Sequence, residues 1–217
     1  MSGPTHMRTN VYVDGFNLYY RAVRDTAYKW LDISAMCHAL LPGHIINRIR
    51  YFTADVQARP GDPDVPARQQ TYLRALRTIP NLSIHKGQFK QREIERPLVQ
   101  PIPGYPRTVL VYHMEEKGSD VNLATFLLTD GYENDYEQAL VVSNDSDLAW
   151  PITMVREKLL KPVGIVNPNT RQSEPAPVEL RKAATYLRQL RTSTLQRCQF
   201  PPVLQDEKGT VTRPATW

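Results

Sequence analysis

Cysteine is almost missing from this chain, with only Cys37 and Cys198 among 217 residues. Two cysteines cannot build a disulfide framework or a cysteine-rich zinc site, so the sequence predicts reduced thiols and a cytoplasmic location. The five histidines are scattered without paired spacing, which removes the usual sequence sign of a zinc centre. Glycine is scarce, ten in all, and no Gly-rich dinucleotide motif occurs. Lys117-Gly118-Ser119 resembles a phosphate loop only superficially, because the preceding glycine and its spacing are absent. Long apolar runs are missing too. A membrane-spanning helix needs about 18 apolar residues in succession, and the longest runs here, such as 108–112 and 139–142, are far shorter. Membrane insertion is therefore not expected, and the first eight residues carry no apolar core of the secretory kind.

What the chain does have is unevenly placed charge. Its formal charge is +5, from 27 Lys and Arg against 22 Asp and Glu, which favours an anionic partner without naming it. Residues 44–108 hold eleven basic side chains against five acidic ones; residues 109–150 reverse this, with nine acids against Lys117 alone; residues 171–217 are basic again, eight against four. An acidic block inside a basic chain suits a metal site beside a phosphate-binding surface, and equally suits a set of solvated helix faces.

Apolar periodicity gives the order of elements. Strands are predicted at 11–13, 45–56, 82–88, 108–114, 138–143 and 162–166, and helices at 16–24, 33–41, 67–79, 120–128, 146–159 and 178–190. The segment 58–66 has three prolines and a glycine, and 97–106 has four prolines, so the first reads as loop and the second as loop or a pair of extended arms. Strands alternating with helices imply a mainly parallel sheet covered on both faces. Tyr19-Tyr20, Trp30 and Trp150 read as core side chains rather than stacking platforms. The organisation expected is an α/β domain over residues 9–168 and a helical, extended tail over 169–217.

In an open α/β sheet, ligands bind beyond the carboxyl ends of the strands, and those positions are acidic here. Asp14 follows the first strand, Asp145 and Asp147 follow the strand at 138–143, and Asp120 opens a helix. Four carboxylates drawn to one edge repel one another unless a cation or a proton intervenes, and an all-oxygen set suits Mg²⁺ or Mn²⁺. Asn17, one helical step from Asp14, can orient water or phosphate, and Ser143 adds another oxygen. Each residue also has an ordinary reading. Asp14-Gly15 is a common turn signal, while 144–146 and Asp120 can simply cap the helices that follow them.

Three blocks, Val11-Tyr12-Val13-Asp14-Gly15-Phe16-Asn17-Leu18-Tyr19, Lys117-Gly118-Ser119-Asp120-Val121-Asn122-Leu123-Ala124 and Val141-Val142-Ser143-Asn144-Asp145-Ser146-Asp147-Leu148, resemble the signatures of the NYN domain family, a branch of the PIN-like nucleases. The resemblance runs over about 9–168. It implies a three-layer α/β/α PIN-like fold with a mainly parallel sheet, and a metal-dependent ribonuclease site. Asp14, Asp120, Asp145 and Asp147 would be its Mg²⁺ or Mn²⁺ ligands, with Asn17 and Ser143 as helpers. One departure is Asn144, where the family commonly has glycine or another small residue; asparagine tolerates the same backbone conformations.

The function expected is hydrolysis of RNA phosphodiester bonds by an endoribonuclease, single-stranded or structured RNA being equally open. The alternative is a non-catalytic RNA-binding or regulatory module on the same fold. A third reading, Asp145-Ser146-Asp147 as a glycosyltransferase metal motif, leaves Asp14, Asn17 and Asp120 unexplained. Lys86, Lys90, Arg92 and Arg96, around Phe89, together with Lys117, are the expected contacts to the nucleic-acid backbone. The tail keeps Phe200, Val203, Leu204, Val211 and Trp217, more apolar content than disordered tails carry. It is expected to pack on its own domain or on a second copy, the homodimer being slightly favoured.

Overall fold

The computed structural model of the protein describes residues 6–58, 61–171 and 174–217. Strand β1 (Arg8–Asp14) is longer than its apolar run because Thr9 and Asn10 are buried with it. A four-residue helix α1 (Gly15–Leu18) runs straight into a π-helical turn, Tyr19–Val23, and then come α2 (Ile33–Leu40), β2 (Ile45–Thr53), α3 (Val65–Arg77) and β3 (Leu82–Lys86). An antiparallel pair follows, β4 (Gln88–Pro97) and β5 (Thr108–Lys117). The second half holds α4 (Ser119–Tyr132), β6 (Gln138–Val142), a short 3₁₀ turn (Ser146–Leu148), α5 (Ala149–Lys158), β7 (Val163–Asn167), α6 (Val178–Ala183) and β8 (Tyr186–Gln189). Helix α7 (Thr192–Arg197) and the hairpin β9 (Val203–Asp206) and β10 (Gly209–Thr212) complete the chain.

Six strands form one sheet in the order β3-β2-β1-β6-β7-β8, with every pairing parallel. Parallel strands buried on both faces read as unbroken apolar runs, which is the character of β6 and β7. Alternation along β1 divides the core. Val11 and Val13 face a cluster with α2, α3 and the tail, while Tyr12 faces the α4, α5 and α6 side. The architecture is thus a three-layer α/β/α sandwich around a central parallel sheet, as the PIN-like reading implied.

Three elements depart from the sequence expectation. The strand at 108–114 is not in the main sheet; it pairs with β4, which had no strand signal because its residues are mostly charged and a ribbon wet on both faces has no buried face to pattern. The expected helix 178–190 stops at Ala183, and Tyr186–Gln189 becomes the sixth strand. Unpaired backbone groups along the β7 edge demand a partner, and that demand overrides local helical spacing. Gly164 on β7 permits the fit, because a Cβ there would collide with the Tyr186 ring. Trp150 is 71% exposed, whereas Trp30 is fully buried.

The tail wraps its own domain. Trp30 donates its indole N–H to the Pro201 carbonyl at 2.8 Å, and Phe200 and Trp217 pack their rings against it. Arg74 on α3 grips Asp206 with two hydrogen bonds, 2.7 and 2.8 Å, a bidentate geometry stronger than a single-point pair. Phe200 and Val211 are buried in the chain's own core and Leu204 and Trp217 pack on it, while Val203 is exposed; packing on its own domain is the first of the two arrangements expected for the tail. Removing residues 199–217 strips Phe200, Val211, Leu204 and Trp217 from the core at about 1.5–3 kcal/mol for each fully buried side chain. The truncated protein should melt at least ~10 °C lower with unchanged solution mass; calorimetry and light scattering check both.

Candidate functional site

In the strand order, β1 and β6 are neighbours where the chain switches from building the sheet leftward to building it rightward. Such a switch point opens a crevice beyond the carboxyl ends of the strands, and Asp14 and Ser143 stand on its two sides. Asp14 closes β1 and caps α1, its Oδ1 accepting the Asn17 N–H at 2.9 Å. Its Oδ2 accepts the Ser143 hydroxyl, also at 2.9 Å. The Asn144 N–H donates to Asn17 Oδ1 at 3.0 Å, and the Asp145 N–H to Ser143 Oγ at 3.1 Å. These bonds tie the loop after β6 to the loop after β1. Gly15 is required here, because a Cβ would lie 2.7 Å from both the Phe52 carbonyl and the Tyr51 ring.

A recess of about 330 Å³ opens over this junction, with Asp14, Asn17, Glu116, Asp120, Asp145 and Arg21 among its walls. Asp120 reaches it from the first turn of α4, whose start needs Gly118 at φ 94°, in the left-handed region. Ser143 sits beneath Asp14, bonded to it. Asp147 is exposed and not among the lining residues; its N–H donates to Asp145 Oδ1 at 3.0 Å. Asn144 does not use a left-handed conformation, so its substitution for a smaller residue carries no backbone strain. Two charged lining residues had escaped the sequence reading. Glu116 was hidden in the charged alternation of β5, and it clamps Ser119, accepting its hydroxyl at 2.8 Å and its N–H at 3.2 Å. Arg21 lies four residues beyond Asn17 on the same helical face, a spacing that could have exposed it.

Electrostatics at the junction are unfavourable to charge. Burial, more than anything else, pushes the Asp14 carboxyl up to about 6; the Asn17 and Ser143 hydrogen bonds oppose this, and the negative charges of Asp145 and Glu116 add to it. The donors facing the recess are all oxygens, which fits a hard cation such as Mg²⁺ or Mn²⁺. Among the described residues no three acidic, histidine or cysteine side chains are drawn together tightly enough to enclose an ion unaided. Mg²⁺ in general keeps several waters and is held by one or two carboxylates.

The expected backbone-binding cations are dispersed. Lys86 is held by Asp55 at 2.6 Å, and Arg92 and Lys117 both reach Glu115 at 3.4 Å. Lys90 and Arg96 are exposed along β4. Phe89 anchors the foot of this ribbon on Phe16, at 5.4 Å between ring centroids, beside the recess.

Comparison with known proteins adds the following. Residues 8–191 match the NYN domain. A Pseudomonas putida (strain DSM 28022 / S16) protein named 6-hydroxy-3-succinoylpyridine 3-monooxygenase HspA is 31% identical over 237 residues, spanning 97% of this chain and 75% of that protein. The crystal structure of a Vibrio parahaemolyticus protein of unknown function superposes with a TM-score of 0.54 at 16% identity, covering 88% of this chain and 98% of that one. At that identity the likeness speaks for the fold alone.

The raised pKa of Asp14 has a definite sign. A carboxyl that binds its proton more tightly when folded stabilises the fold below its unfolded value near 3.8, and that contribution is lost as the pH climbs through about 6. In chelator, Asp14→Asn should therefore melt above the parent at pH 8, by up to about 3 kcal/mol, and the gap should close towards pH 4. Thermal melts across that range are the measurement.

Proposed function

Since this chain belongs to the NYN domain family, a branch of PIN-like nucleases, we propose that it is a metal-dependent endoribonuclease that hydrolyses RNA at the acidic recess. The observation that carries the reading is the convergence of Asp14, Glu116, Asp120 and Asp145 on one recess at the switch point of a parallel sheet. Asp14, Asp120 and Asp145 would hold Mg²⁺ or Mn²⁺, and Asp147 stands close enough in sequence to hold a water around it. The cation would activate water and offset charge on the attacked phosphate. The chain's own residues supply the rest. Ser143 fixes the rotamer of Asp14 through its hydroxyl, Asn17 locks the two loops in register, and Arg21 offers a cation to a phosphate oxygen. Lys90, Arg92, Arg96, Lys86 and Lys117 would follow the strand's backbone outward from the recess.

Mg²⁺ or Mn²⁺ should raise the melting temperature of the protein, by an amount equivalent to about 2.7 kcal/mol at a hundredfold excess over the dissociation constant, and chelator should reverse it. Asp14→Asn and Asp145→Asn should each lower cleavage of a labelled RNA by about a hundredfold or more while remaining folded. Full activity in purified Asp14→Asn protein would refute the assignment. If the protein binds RNA with its acids intact but never cleaves it in Mn²⁺, the chain is an RNA-binding or regulatory module instead.

One finding favours a second reading. The Pseudomonas relative is named as a monooxygenase acting on a substituted pyridine, and this chain aligns with it almost throughout. On this second reading, the activity would be oxygenation of a heteroaromatic ring. Oxygen uptake with that pyridine and a two-electron reductant, in a protein without nuclease activity, would select this reading over the first.

A further inference from the structure

Next to the acidic recess lies a second cavity of about 340 Å³ that the acids do not enter. Its walls are aromatic, with Tyr19, Tyr20, Tyr51, Tyr72 and Trp217 brought from four separate parts of the chain. Phe16 and Tyr20 line both spaces, so the two share a wall. The π-helical turn Tyr19–Val23 builds one side. A π turn is rare in proteins and frequently marks a functional site; this one directs Tyr19, Tyr20 and Val23 to the cavity. Charge is also biased, with Arg24, Lys29 and Arg68 against Asp62. Asp25 holds Arg24 and Asp62 holds Arg68, and Lys29 adds a third cation to the wall.

We propose that this cavity is a nucleotide site, in which one base stacks among the tyrosines and Trp217 while its phosphate extends past Tyr20 towards the recess. The proposal rests on the ribonuclease reading for its setting. Its volume falls in the range of small-ligand pockets, about 300–1,000 Å³. Stacking on aromatic side chains captures any base, because every base has a π face, so the site should hold a flipped-out base with modest sequence preference. The shared wall then sets which phosphodiester bond reaches the acids: the one joined to the captured base. The nucleotide could be part of an RNA strand or free, and the two sources are separable.

The test is equilibrium binding by the full-length protein in chelator, where no cleavage occurs. Labelled single-stranded RNA 10-mers are compared with versions carrying one abasic residue at each position in turn, and the four nucleoside monophosphates and pyridine-3-carboxylate serve as competitors. Val65→Trp, at the start of α3, fills the cavity away from the acids; Tyr20→Ala removes one stacking face and replaces it if that variant fails to fold. One abasic position should weaken binding about tenfold, the loss of one stack. Either variant should bring intact RNA to the same level and leave the abasic RNA unaffected. Nucleoside monophosphates that compete, with no abasic-sensitive position in RNA, would assign the site to free nucleotides. RNA that binds and is cleaved in Mn²⁺, with no abasic-sensitive position and no competing monophosphate, would overturn the proposal and leave the ribonuclease reading standing. Monophosphates that bind through the cavity in a protein unable to cleave RNA would do the reverse. Capture of pyridine-3-carboxylate alone, lost in Val65→Trp, would overturn the nucleotide assignment.

Discussion

The hydrogen bond from Ser143 to Asp14 joins two loops that are 129 residues apart in sequence, and the rest of the site is arranged around it. It forms because β1 and β6 run parallel in register and end at one level, with Val13 opposite Val142. Asn17 and Asn144 repeat the link one step outward. The recess is therefore carried by the sheet itself, and its acids inherit the rigidity of two buried strands. That rigidity also forces a buried carboxylate to remain close to other negative charge. Unlike flexible surface acids, Asp14 cannot relieve repulsion by swinging away, so a proton or a cation must.

Much of this was legible in the sequence, because burial leaves marks on it. The strands at 11–13, 45–56, 138–143 and 162–166 announce themselves as β-branched runs, and the acids after them are visible as soon as the sheet is known to be parallel. What the sequence concealed was structure held by partners distant in the chain. β8 reads locally as helix, and only the open edge of β7 makes Tyr186–Gln189 a strand. β4 gains its pairing from β5 and buries little, so no apolar alternation records it. Glu116 looked like one charge among many, since its place at the recess depends on where the ribbon meets α4. Asp147 shares a motif with Asp145, but the 3₁₀ turn at 146–148 sets it outside the lining of the recess.

The ribbon and the tail have contrasting relations to the domain. β4 and β5 carry Val99, Ile102, Tyr105, Leu110 and Tyr112 exposed along their length and connecting loop, while their cations are partly matched by Glu115. The tail instead hides its apolar groups: Phe200 and Val211 enter the core, and Trp217 closes over Trp30 and Tyr72. A segment that reads as an appendage thus completes the layer on the α2 and α3 side. Trp30 would otherwise face water across much of its ring and would leave its indole N–H without the Pro201 carbonyl.

The position of β1 at the middle of the sheet also bears on how the molecule is made. It leaves the ribosome well before residues 138–142, which complete one of its two edges, and Trp30 waits still longer for residues 200–217. Contacts so distant in sequence form slowly, since long loops must close before they are rewarded. During synthesis the nascent chain must keep an apolar strand and a bare tryptophan out of harm until those distant residues arrive. The recess, built on that strand, comes into being only when β6 and the loop carrying Asp145 have followed it.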